Sequence, residues 1–351
     1  MERYLGGDVH AASVSFAIRS EAGKILRRDV VETNGQALVS YVRQQPGNVH
    51  LCIEEGELSR WLYEILSPHV TELVVYRARW SAGNKSDRLD ADGLSEKMLS
   101  GKFGNPVYKD PGPFRALRQA SRTYRMLTKD QARVKSRIKS GFRSRGVACL
   151  GEAVYDDAGR QELAKQLPVP HRRMVEVLGQ ELDALRDLQA MAEKEMLRES
   201  HRHAISRVLE TAPGFGPIRV ALMLPIVVTP YRFRTKRQFW SYCGFAIVTR
   251  STSDWVQRDG GWQRAPVVQT RGLTRSYNKT LKWLFKGAAT TVIQHSGPGP
   301  LRAHYDALLQ TGTRPNLAKL TIARQIAAIV LAIWKSQERY RAERVQGLSG
   351  S

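Results

Sequence analysis

The chain has 351 residues, with 55 lysines and arginines against 33 acidic residues and a formal net charge of +22. This length accommodates two or three domains with sizeable cores. So large a positive charge favours polyanionic partners, with nucleic acid first and an anionic membrane surface second.

The sequence argues against a secreted and against a membrane-spanning protein. Its first residues, Met1 to Leu5, contain no basic region followed by an apolar stretch, as a secretory signal would. The longest apolar run, Ile326 to Trp334, is about half the length of a bilayer crossing and predicts a buried core helix. Cys52, Cys149 and Cys243 lack the paired spacing of a zinc site or a disulfide framework. We therefore expect core cysteines in a reducing, cytoplasmic compartment and no membrane partner.

The first part of the chain predicts an α/β domain that begins with three consecutive strands, within residues 3–33. In the second strand, Val14, Phe16 and Ile18 alternate with small or polar residues, which is the period of a half-buried strand. The elements expected next are a helix from Asn34 to Val42, a strand from Val49 to Ile53, a helix from Trp61 to Leu66 and a strand from Thr71 to Tyr76. This order is that of an RNase H-like fold, although other α/β folds give the same string.

The middle of the chain predicts two long helices after a boundary at Pro111-Gly112-Pro113. The first spans residues 114–146 and the second residues 171–209, each with apolar residues at three- and four-residue steps. They predict an antiparallel helical hairpin or an oligomerising coiled coil. The first helix carries eleven lysines and arginines and one acid, Asp130, which favours phosphate contact over a merely solvated face. The candidates for this contact are Arg118, Arg122, Arg125, Lys129, Arg133 and Arg137.

The last part of the chain opens with a glycine-rich turn and ends in an apolar helix. Pro213-Gly214-Phe215-Gly216 leads into a helix from Ile218 to Leu224, a pattern in which glycine amides and a helix N-terminus approach a phosphate. The final helix is predicted to start with Asn316 as its cap and to run to about Tyr340 as a core or interface element.

Four dispersed acids are candidate metal ligands. Asp8 lies in the first strand behind Gly6-Gly7, where a small residue lets a ligand approach the backbone, and Glu54 ends an apolar strand. Asp87 and Asp90 stand where a helix should start, and their three-residue spacing puts them on one face of that helix. Carboxylates suit Mg²⁺ or Mn²⁺, and two such ions can assist phosphodiester substitution. The neighbouring acids Glu55 and Asp92 are assigned to helix-end or turn roles.

A second candidate for chemistry is a run of three hydroxyl residues, Ser251, Thr252 and Ser253, beside Arg250 and ahead of a glycine-rich turn at Asp259-Gly260-Gly261. An activated hydroxyl can attack phosphorus and form a covalent phosphoester. An adjacent arginine would stabilise the charge of the phosphate. The alternatives are an ordinary loop and a loop that contacts phosphate without chemistry.

Over nearly its whole length the chain resembles the DEDD-type transposases of the insertion sequence 110 class, whose studied members are recombinases guided by a bridge RNA. The matching motifs are Gly7-Asp8, Cys52-Ile53-Glu54, Asn84-Lys85-Ser86-Asp87-Arg88-Leu89-Asp90-Ala91, Pro213-Gly214-Phe215-Gly216, and the segment from Arg237-Gln238-Phe239 to Gly244. The third motif is the most specific of the first three.

The resemblance implies a three-part chain and a two-part site. Residues 1–105 would be a RuvC-like, RNase H-fold domain whose Asp8, Glu54, Asp87 and Asp90 hold Mg²⁺ or Mn²⁺. Residues 106–209 would be a helical, coiled-coil linker that makes an oligomer, and residues 210–345 a mainly helical transposase domain with a serine loop, before a frayed tail at 346–351. A serine of that loop would become covalently joined to cleaved DNA. Counting from Gly244 places the family serine at Thr252, so Ser251 and Ser253 are its candidates, with Thr252 as the alternative.

The resulting prediction is a DNA transposase or recombinase that works with donor and target DNA and with a structured guide RNA. It is expected to be a homo-oligomer, a dimer or tetramer, in the prokaryotic cytoplasm at the nucleoid. Arg250 and Arg271 join the basic helix as candidate nucleic-acid contacts. The alternatives are a RuvC-like, metal-dependent junction nuclease without a covalent step, and a non-catalytic nucleic-acid-binding protein.

Overall fold

The computed structural model describes residues 1–76, 87–102, 112–252, 255–258, 261–264, 268–295 and 297–342. The chain forms two compact units, Met1–Asp110 and Pro111–Ser351. The three-part division at residues 105 and 209 stays a prediction.

The first unit is built on a five-stranded sheet with the strand order β3-β2-β1-β4-β5. Its strands are β1 (Glu2–Val9), β2 (Ser13–Ser20), β3 (Ile25–Glu32), β4 (Asn48–Glu54) and β5 (Glu72–Tyr76). The first three strands are antiparallel neighbours, whereas β4 runs parallel to both β1 and β5. The predicted order of strands and helices along the chain is confirmed, and the sheet is consistent with an RNase H-like domain.

Helices cover both faces of this sheet because alternate residues of each strand point to opposite sides. Helix α1 (Gly35–Arg43) and helix α2 (Ser59–Leu66) pack on one face, where Leu5, Leu51 and Ile53 are buried. Helix α3 (Asp87–Ser100) packs on the other face, against Cys52 and Val74.

The predicted start of α1 is confirmed by its cap. The side chain of Asn34 accepts hydrogen bonds from the backbone amides of Gln36 and Ala37. Such a cap satisfies amides that have no partner within the helix.

The second unit is mostly helical among the described residues. Its helices are α4 (Arg115–Arg143), α5 (Asp157–Ala164), α6 (Val169–His201), α7 (Ala204–Leu209), α8 (Pro217–Val227), α9 (Lys236–Cys243), α10 (Lys279–His295), α11 (Pro300–Gln310) and α12 (Pro315–Ser336). The main core of the unit lies among α8, α9, α10 and α12. Phe215 and Phe285 are buried there, with ring centroids 5.0 Å apart.

Helices α4 and α6 form an antiparallel hairpin within one chain. Gln131 donates to the Leu185 carbonyl at 2.9 Å, and Gln189 donates to the Thr128 hydroxyl at 3.0 Å. Because the partner in α6 moves back along the chain as the residue in α4 moves forward, the two helices are antiparallel. Of the two arrangements that the sequence leaves open, the intramolecular hairpin is the one present here, and an oligomerising coiled coil is not confirmed.

Helix α12 is the one helix among the described residues that is long and apolar enough to cross a membrane. Just over half of that stretch, 56%, is buried within the unit, where Ile322, Ile326 and Val330 are fully covered, as the prediction of a core helix requires. The predicted cap at Asn316 is wrong. The residue at the cap position is Arg314, two residues earlier, and the helix begins at Pro315. Proline has its φ angle preset for the first helical position and lacks the amide that would need a cap.

Within the described part of the second unit, four short strands interrupt the helices, and the prediction of a mainly helical domain missed them. Strands β6 (Ile247–Thr252) and β9 (Val268–Leu273) form one antiparallel ribbon, and β7 (Trp255–Arg258) and β8 (Gly261–Arg264) form another. Their residues are largely polar, so the two-residue alternation of apolar side chains that marks a strand is absent from this sequence.

The three cysteines are free and buried, as predicted. Burial raises the pKa of the Cys52 thiol to about 12 and that of Cys243 well above its ordinary value. Since the thiolate is the reactive form, these two cysteines are packing residues.

Candidate active site

Asp8 lies near the end of β1, on the sheet face that α3 covers. Gly6 and Asp8 are two residues apart and therefore share a face. A side-chain carbon at Gly6 would overlap the carbonyl oxygen of Ala91 and the amide nitrogen of Ser95, both in α3. The sequence interpretation of Gly6 is thus corrected, because the backbone that comes close to this glycine is that of α3 rather than a ligand.

Glu54 ends the neighbouring parallel strand on the same face and at the same edge. In the register of β1 and β4, Gly6 pairs with Cys52 and Gly7 with Ile53. Asp8 and Glu54 each follow next in their strands, and the shared register carries them to adjacent positions. Asp8 is 6% exposed and Glu54 is half-buried.

Helix α3 brings its first turn to this edge because it runs antiparallel to β1. Near its end, Leu99 lies by Gly23, in the turn beside the start of β1. Ala91 lies against Gly6, so the turn from Asp87 to Asp90 continues towards Asp8. Asp90 is half-buried, and the side chain of Asp87 lies outside the described residues.

The described side chains do not converge into a ligand cluster. In the part of the chain that the structure describes, no group of three or more His, Cys, Asp or Glu residues could hold one metal ion. The backbone positions nevertheless place an aspartate, a glutamate and the first turn of α3 at one sheet edge. A buried carboxylate such as that of Asp8 requires compensating charge or hydrogen bonds, and oxygen donors of this kind suit Mg²⁺ or Mn²⁺. The residues present therefore fit such an ion in their chemistry.

His10 is a neighbour of the candidate site that sequence reasoning missed. Its Nε2 lies 3.0 Å from Oδ2 of Asp8, and its side chain is 48% exposed. The signal in the sequence is its position two residues beyond Asp8 and directly after the end of β1, which is close enough for its ring to reach the carboxylate.

Two arginines of the sheet bind α3, and one of them pairs with the carboxylate of Asp92. Arg28 of β3 donates two hydrogen bonds to the Asp92 carboxylate, at 2.9 and 2.8 Å. Arg19 of β2 donates to the Ser95 hydroxyl at 2.9 Å and to the Asp92 carbonyl at 3.3 Å. A bidentate pair adds geometric specificity, so Asp92 positions α3, in keeping with its assignment to a structural role.

The first two residues of the hydroxyl segment, Ser251 and Thr252, are the last two residues of β6. Ser251 pairs with Gln269 and Thr252 with Val268 in the ribbon of β6 and β9. Ser253 lies outside the described residues, as do the side chains of Ser251 and Thr252. The predicted serine loop is corrected to this extent, because its first two hydroxyl residues belong to β6.

Arg250 and Arg271 occupy the same ribbon. Arg250 pairs with Thr270, and Arg271 pairs with Thr249, so the two arginines stand on adjacent strands one residue pair apart. Their side chains lie outside the described residues.

The basic helix α4 keeps most of its candidate phosphate contacts at the surface. Four candidates are exposed: Arg122, Lys129, Arg133 and Arg137. Arg125 is half-buried. Arg118 is different, because its guanidinium donates to the Pro225 carbonyl at 3.2 and 2.7 Å and thereby ties α4 to α8.

The first glycine of the turn ahead of α8, Gly214, packs closely against α10. Gly214 has a φ of +66°, and a side-chain carbon there would lie 2.5 Å from the Ala288 carbonyl oxygen of α10. Arg219 donates to the Gly214 carbonyl at 2.6 Å and to the Thr291 hydroxyl at 3.0 Å. Gly214 therefore has a packing role, whereas a side-chain carbon at Gly216 would meet no atom within 4 Å.

Comparison with known proteins gives two family matches. A family model for DEDD proteins of the IS110 class, described as "Transposase", matches residues 5–144. A second model, described as "Transposase IS116/IS110/IS902 family", matches residues 206–306. The first match contains the four acids, and the second contains the hydroxyl segment.

One curated relative is the "Insertion element IS116 uncharacterized 44.8 kDa protein" of Streptomyces clavuligerus. It is 26% identical over 135 residues, which are 38% of this chain and 30% of the relative. The aligned part thus spans less than a third of that relative's length.

Proposed function

Because the chain belongs to the IS116/IS110/IS902 family of transposases, we propose that it is a DNA transposase that cuts and rejoins DNA through a covalent serine link. The observation that carries the proposal is the placement of Asp8 and Glu54 at adjacent strand ends, on the face that α3 covers. Family membership supplies the nucleic-acid chemistry that this arrangement serves.

In the proposed site, Asp8, Glu54, Asp87 and Asp90 hold Mg²⁺ or Mn²⁺. Bound there, the ion would neutralise charge on the phosphate and stabilise the entering and leaving oxygens. Asp8 is buried in the sheet and Glu54 sits beside it, so these two provide the rigid part of the ligand set. The positions of Asp87 and Asp90 depend on how closely α3 packs against Gly6.

The proposed nucleophile is the hydroxyl of Ser251 or Ser253, with Thr252 as the alternative. Its oxygen bonds to phosphorus, the phosphodiester bond to one sugar oxygen breaks, and the hydroxyl proton ends on that leaving oxygen. The phosphoester conserves the bond energy, so attack by another sugar hydroxyl rejoins the strands and releases the serine. By the register of the ribbon, Arg271 shares a face with Ser251, and Arg250 shares a face with Thr252. The arginine on the face of the nucleophile would supply positive charge to the phosphate.

We expect one of three single variants, Ser251→Ala, Ser253→Ala or Thr252→Ala, to abolish a protein–DNA adduct that otherwise survives denaturation. The matched control is Thr249→Ala, an exposed hydroxyl residue of the same strand, which should retain the adduct. The measurement is a denaturing gel with end-labelled DNA, followed by mass mapping of the modified peptide.

Two other outcomes would overturn the serine proposal. DNA that is cut without any adduct, in the wild type and in all three variants, would favour a RuvC-like nuclease that uses water. A protein that binds DNA but neither cuts it nor forms an adduct, with Asp8→Asn unchanged from the wild type, would favour a non-catalytic binding protein.

The basic surface supports the proposed partners, which are donor and target DNA and a structured guide RNA. Arg122, Lys129, Arg133 and Arg137 lie exposed on one helix, and such a row of cations contacts phosphates independently of sequence. Base pairing with a guide would then supply the choice of target, a division of labour that RNA-guided proteins use.

We expect the purified protein to carry RNA and to form a homo-oligomer, a dimer or tetramer, in the prokaryotic cytoplasm at the nucleoid. Light scattering of the purified particle before and after ribonuclease treatment measures both properties. A monomer with no RNA-dependent loss of mass would contradict both parts.

A further inference from the structure

The ribbon of β7 and β8 carries two exposed tryptophans on one face. Trp255 pairs with Arg264, and Gln257 pairs with Trp262. Paired residues share a face, and so do residues two apart on one strand, so these four side chains form a single surface. Trp255 is 57% exposed and Trp262 is 67% exposed. The Arg264 guanidinium lies 5.6 Å from the centroid of the Trp255 ring.

This exposure has no explanation in the packing of the described residues. Tryptophan is highly buried on average, and Trp334 of the same unit follows that rule at 5% exposed. Strands β7 and β8 have four residues each and pack chiefly on each other. An isolated two-stranded hairpin is marginally stable in water, so this ribbon would gain stability from a partner. Two solvent-exposed tryptophans on it indicate the surface that such a partner covers.

The chemistry of the ribbon selects a nucleic-acid partner. Between Ile247 and Arg275 the sequence has five arginines and two aspartates and no lysine or glutamate. A second copy of this surface would bring arginine against arginine. Nucleotides offer both a flat π face for each indole and a negative charge for each arginine, the combination found in proteins that bind single strands.

The position of the ribbon favours DNA over RNA as the bound nucleic acid, and this step rests on the proposed function. Ser251 precedes Trp255 by four residues, which span at most about 14 Å when extended. That is roughly four nucleotides at ~3.4 Å per nucleotide. The strand within this reach of the proposed nucleophile is the strand that the serine cleaves.

We propose that Trp255 and Trp262 form a stacking face for unpaired bases of the DNA strand next to the cleavage point. Strand exchange requires bases near the cut to leave their duplex partners, which costs stacking energy. The two indoles and Arg264 replace the lost stacking and hold the freed strand beside the hydroxyl segment. Stacking of this kind does not depend on base identity because every base has a π face, so it is compatible with target choice by pairing.

The test uses the full-length protein and a single-stranded DNA probe with one 5-iodouracil, a base that crosslinks to adjacent aromatic residues under light. We expect the crosslink at Trp255 or Trp262, located by peptide mass mapping. Trp255→Ala and Trp262→Ala should each weaken binding of the probe about tenfold or more. Trp255→Phe should retain most of the affinity because phenylalanine keeps a stacking ring.

The matched control is Trp283→Ala, which removes a tryptophan that is 62% exposed on α10 of the same unit and should bind the probe as the wild type does. The double variant Ser251→Ala, Ser253→Ala should also bind normally, so failure of the serine chemistry leaves this result unaffected. Circular dichroism is expected to be unchanged in all variants, since the ribbon lies outside the buried core.

Four results with nucleic-acid probes would overturn the proposal. They are an equal loss of affinity in Trp283→Ala, a crosslink that maps elsewhere, an equal effect of Trp255→Ala on fully paired DNA, and tighter binding of RNA than of DNA of the same sequence. The last result would assign the face to the guide instead of the cleaved strand. Binding to anionic lipid vesicles that is lost in Trp255→Ala, without any effect on the DNA probe, would likewise contradict it.

Discussion

Replacing Asp8 with asparagine is expected to remove both metal binding and DNA cleavage while leaving the fold intact. Asparagine has the same shape and keeps a hydrogen-bonding oxygen near His10, whose Nε2 lies 3.0 Å from the carboxylate. It lacks the negative charge that makes a carboxylate a stronger ligand than a neutral carbonyl for Mg²⁺ or Mn²⁺. Loss of a residue that merely supports a metal ligand costs 10–100-fold, so loss of the ligand itself should lower cleavage by more than about 100-fold.

Two measurements check this expectation, one of which is independent of activity. Mn²⁺ binding followed by electron paramagnetic resonance should weaken in Asp8→Asn, and anomalous scattering from Mn²⁺-soaked crystals of the wild type should place the ion at Asp8 and Glu54. A Mn²⁺ peak remote from both acids would remove the proposed ligand set.

The matched control is Asp92→Asn, an acid on the same helix whose carboxylate is bound by Arg28. The Arg28 side chain is 34% exposed, and partly exposed ion pairs contribute little to stability. The hydrogen bonds from Arg19 to the Ser95 hydroxyl and to the Asp92 carbonyl do not use the Asp92 carboxylate, so α3 keeps these contacts in Asp92→Asn. The variant should therefore retain Mn²⁺ binding and cleavage. If Asp92→Asn lost Mn²⁺ binding and cleavage as Asp8→Asn does, the assignment of Asp8 as a ligand and Asp92 as a positioning residue would be wrong.

The largest structural effect is expected from Gly6→Ala, a change of one methyl group. That carbon would overlap the backbone of α3 at the Ala91 carbonyl and the Ser95 amide, and backbone atoms, unlike the end of a flexible side chain, have no other rotamer. Helix α3 would have to move away from β1. We expect a cost of about 3 kcal/mol, the upper end for overpacking.

Hydrogen exchange of the α3 amides measures this effect within the whole chain. A local cost of about 3 kcal/mol corresponds to roughly 100-fold faster exchange. Cleavage should fall as well, because the turn that carries Asp87 and Asp90 moves with the helix. The control is Gly56→Ala, where a side-chain carbon meets no atom within 4 Å. Unchanged protection of α3 in Gly6→Ala would show that the helix does not lie this close to β1.

Local sequence patterns were sufficient for the regular elements of the first unit. The alternation of Val14, Phe16 and Ile18 marked β2, and Asn34 marked the start of α1 through its side-chain cap. Both signals act within a few residues, so no tertiary information was needed. The same patterns failed for the ribbons of the second unit, because Ser251 and its neighbours are too polar to show the period of a strand.

Contacts between distant segments explain what the sequence interpretation missed or misassigned. Gly6 suits a close approach to the backbone, but only the fold reveals that α3 is the approaching element. Arg118 has the spacing of a surface cation, yet it donates to Pro225, more than a hundred residues away. The hairpin of α4 and α6 is likewise visible only in the contacts between the two helices, while an oligomerising coiled coil is not confirmed.

The amino-acid sequence by itself determined the charge of the protein, the order of its strands and helices in the first unit, and the motifs around Asp8, Glu54, Asp87 and Asp90. These are properties of composition and of short-range periodicity. The tertiary structure alone decided that Asp8 and Glu54 lie at adjacent strand ends, that α3 runs antiparallel to β1, and that Trp255 and Trp262 share an exposed face. These spatial arrangements depend on strand register and on the close packing of α3 against Gly6. Both arise only when segments that are distant in the sequence pack together.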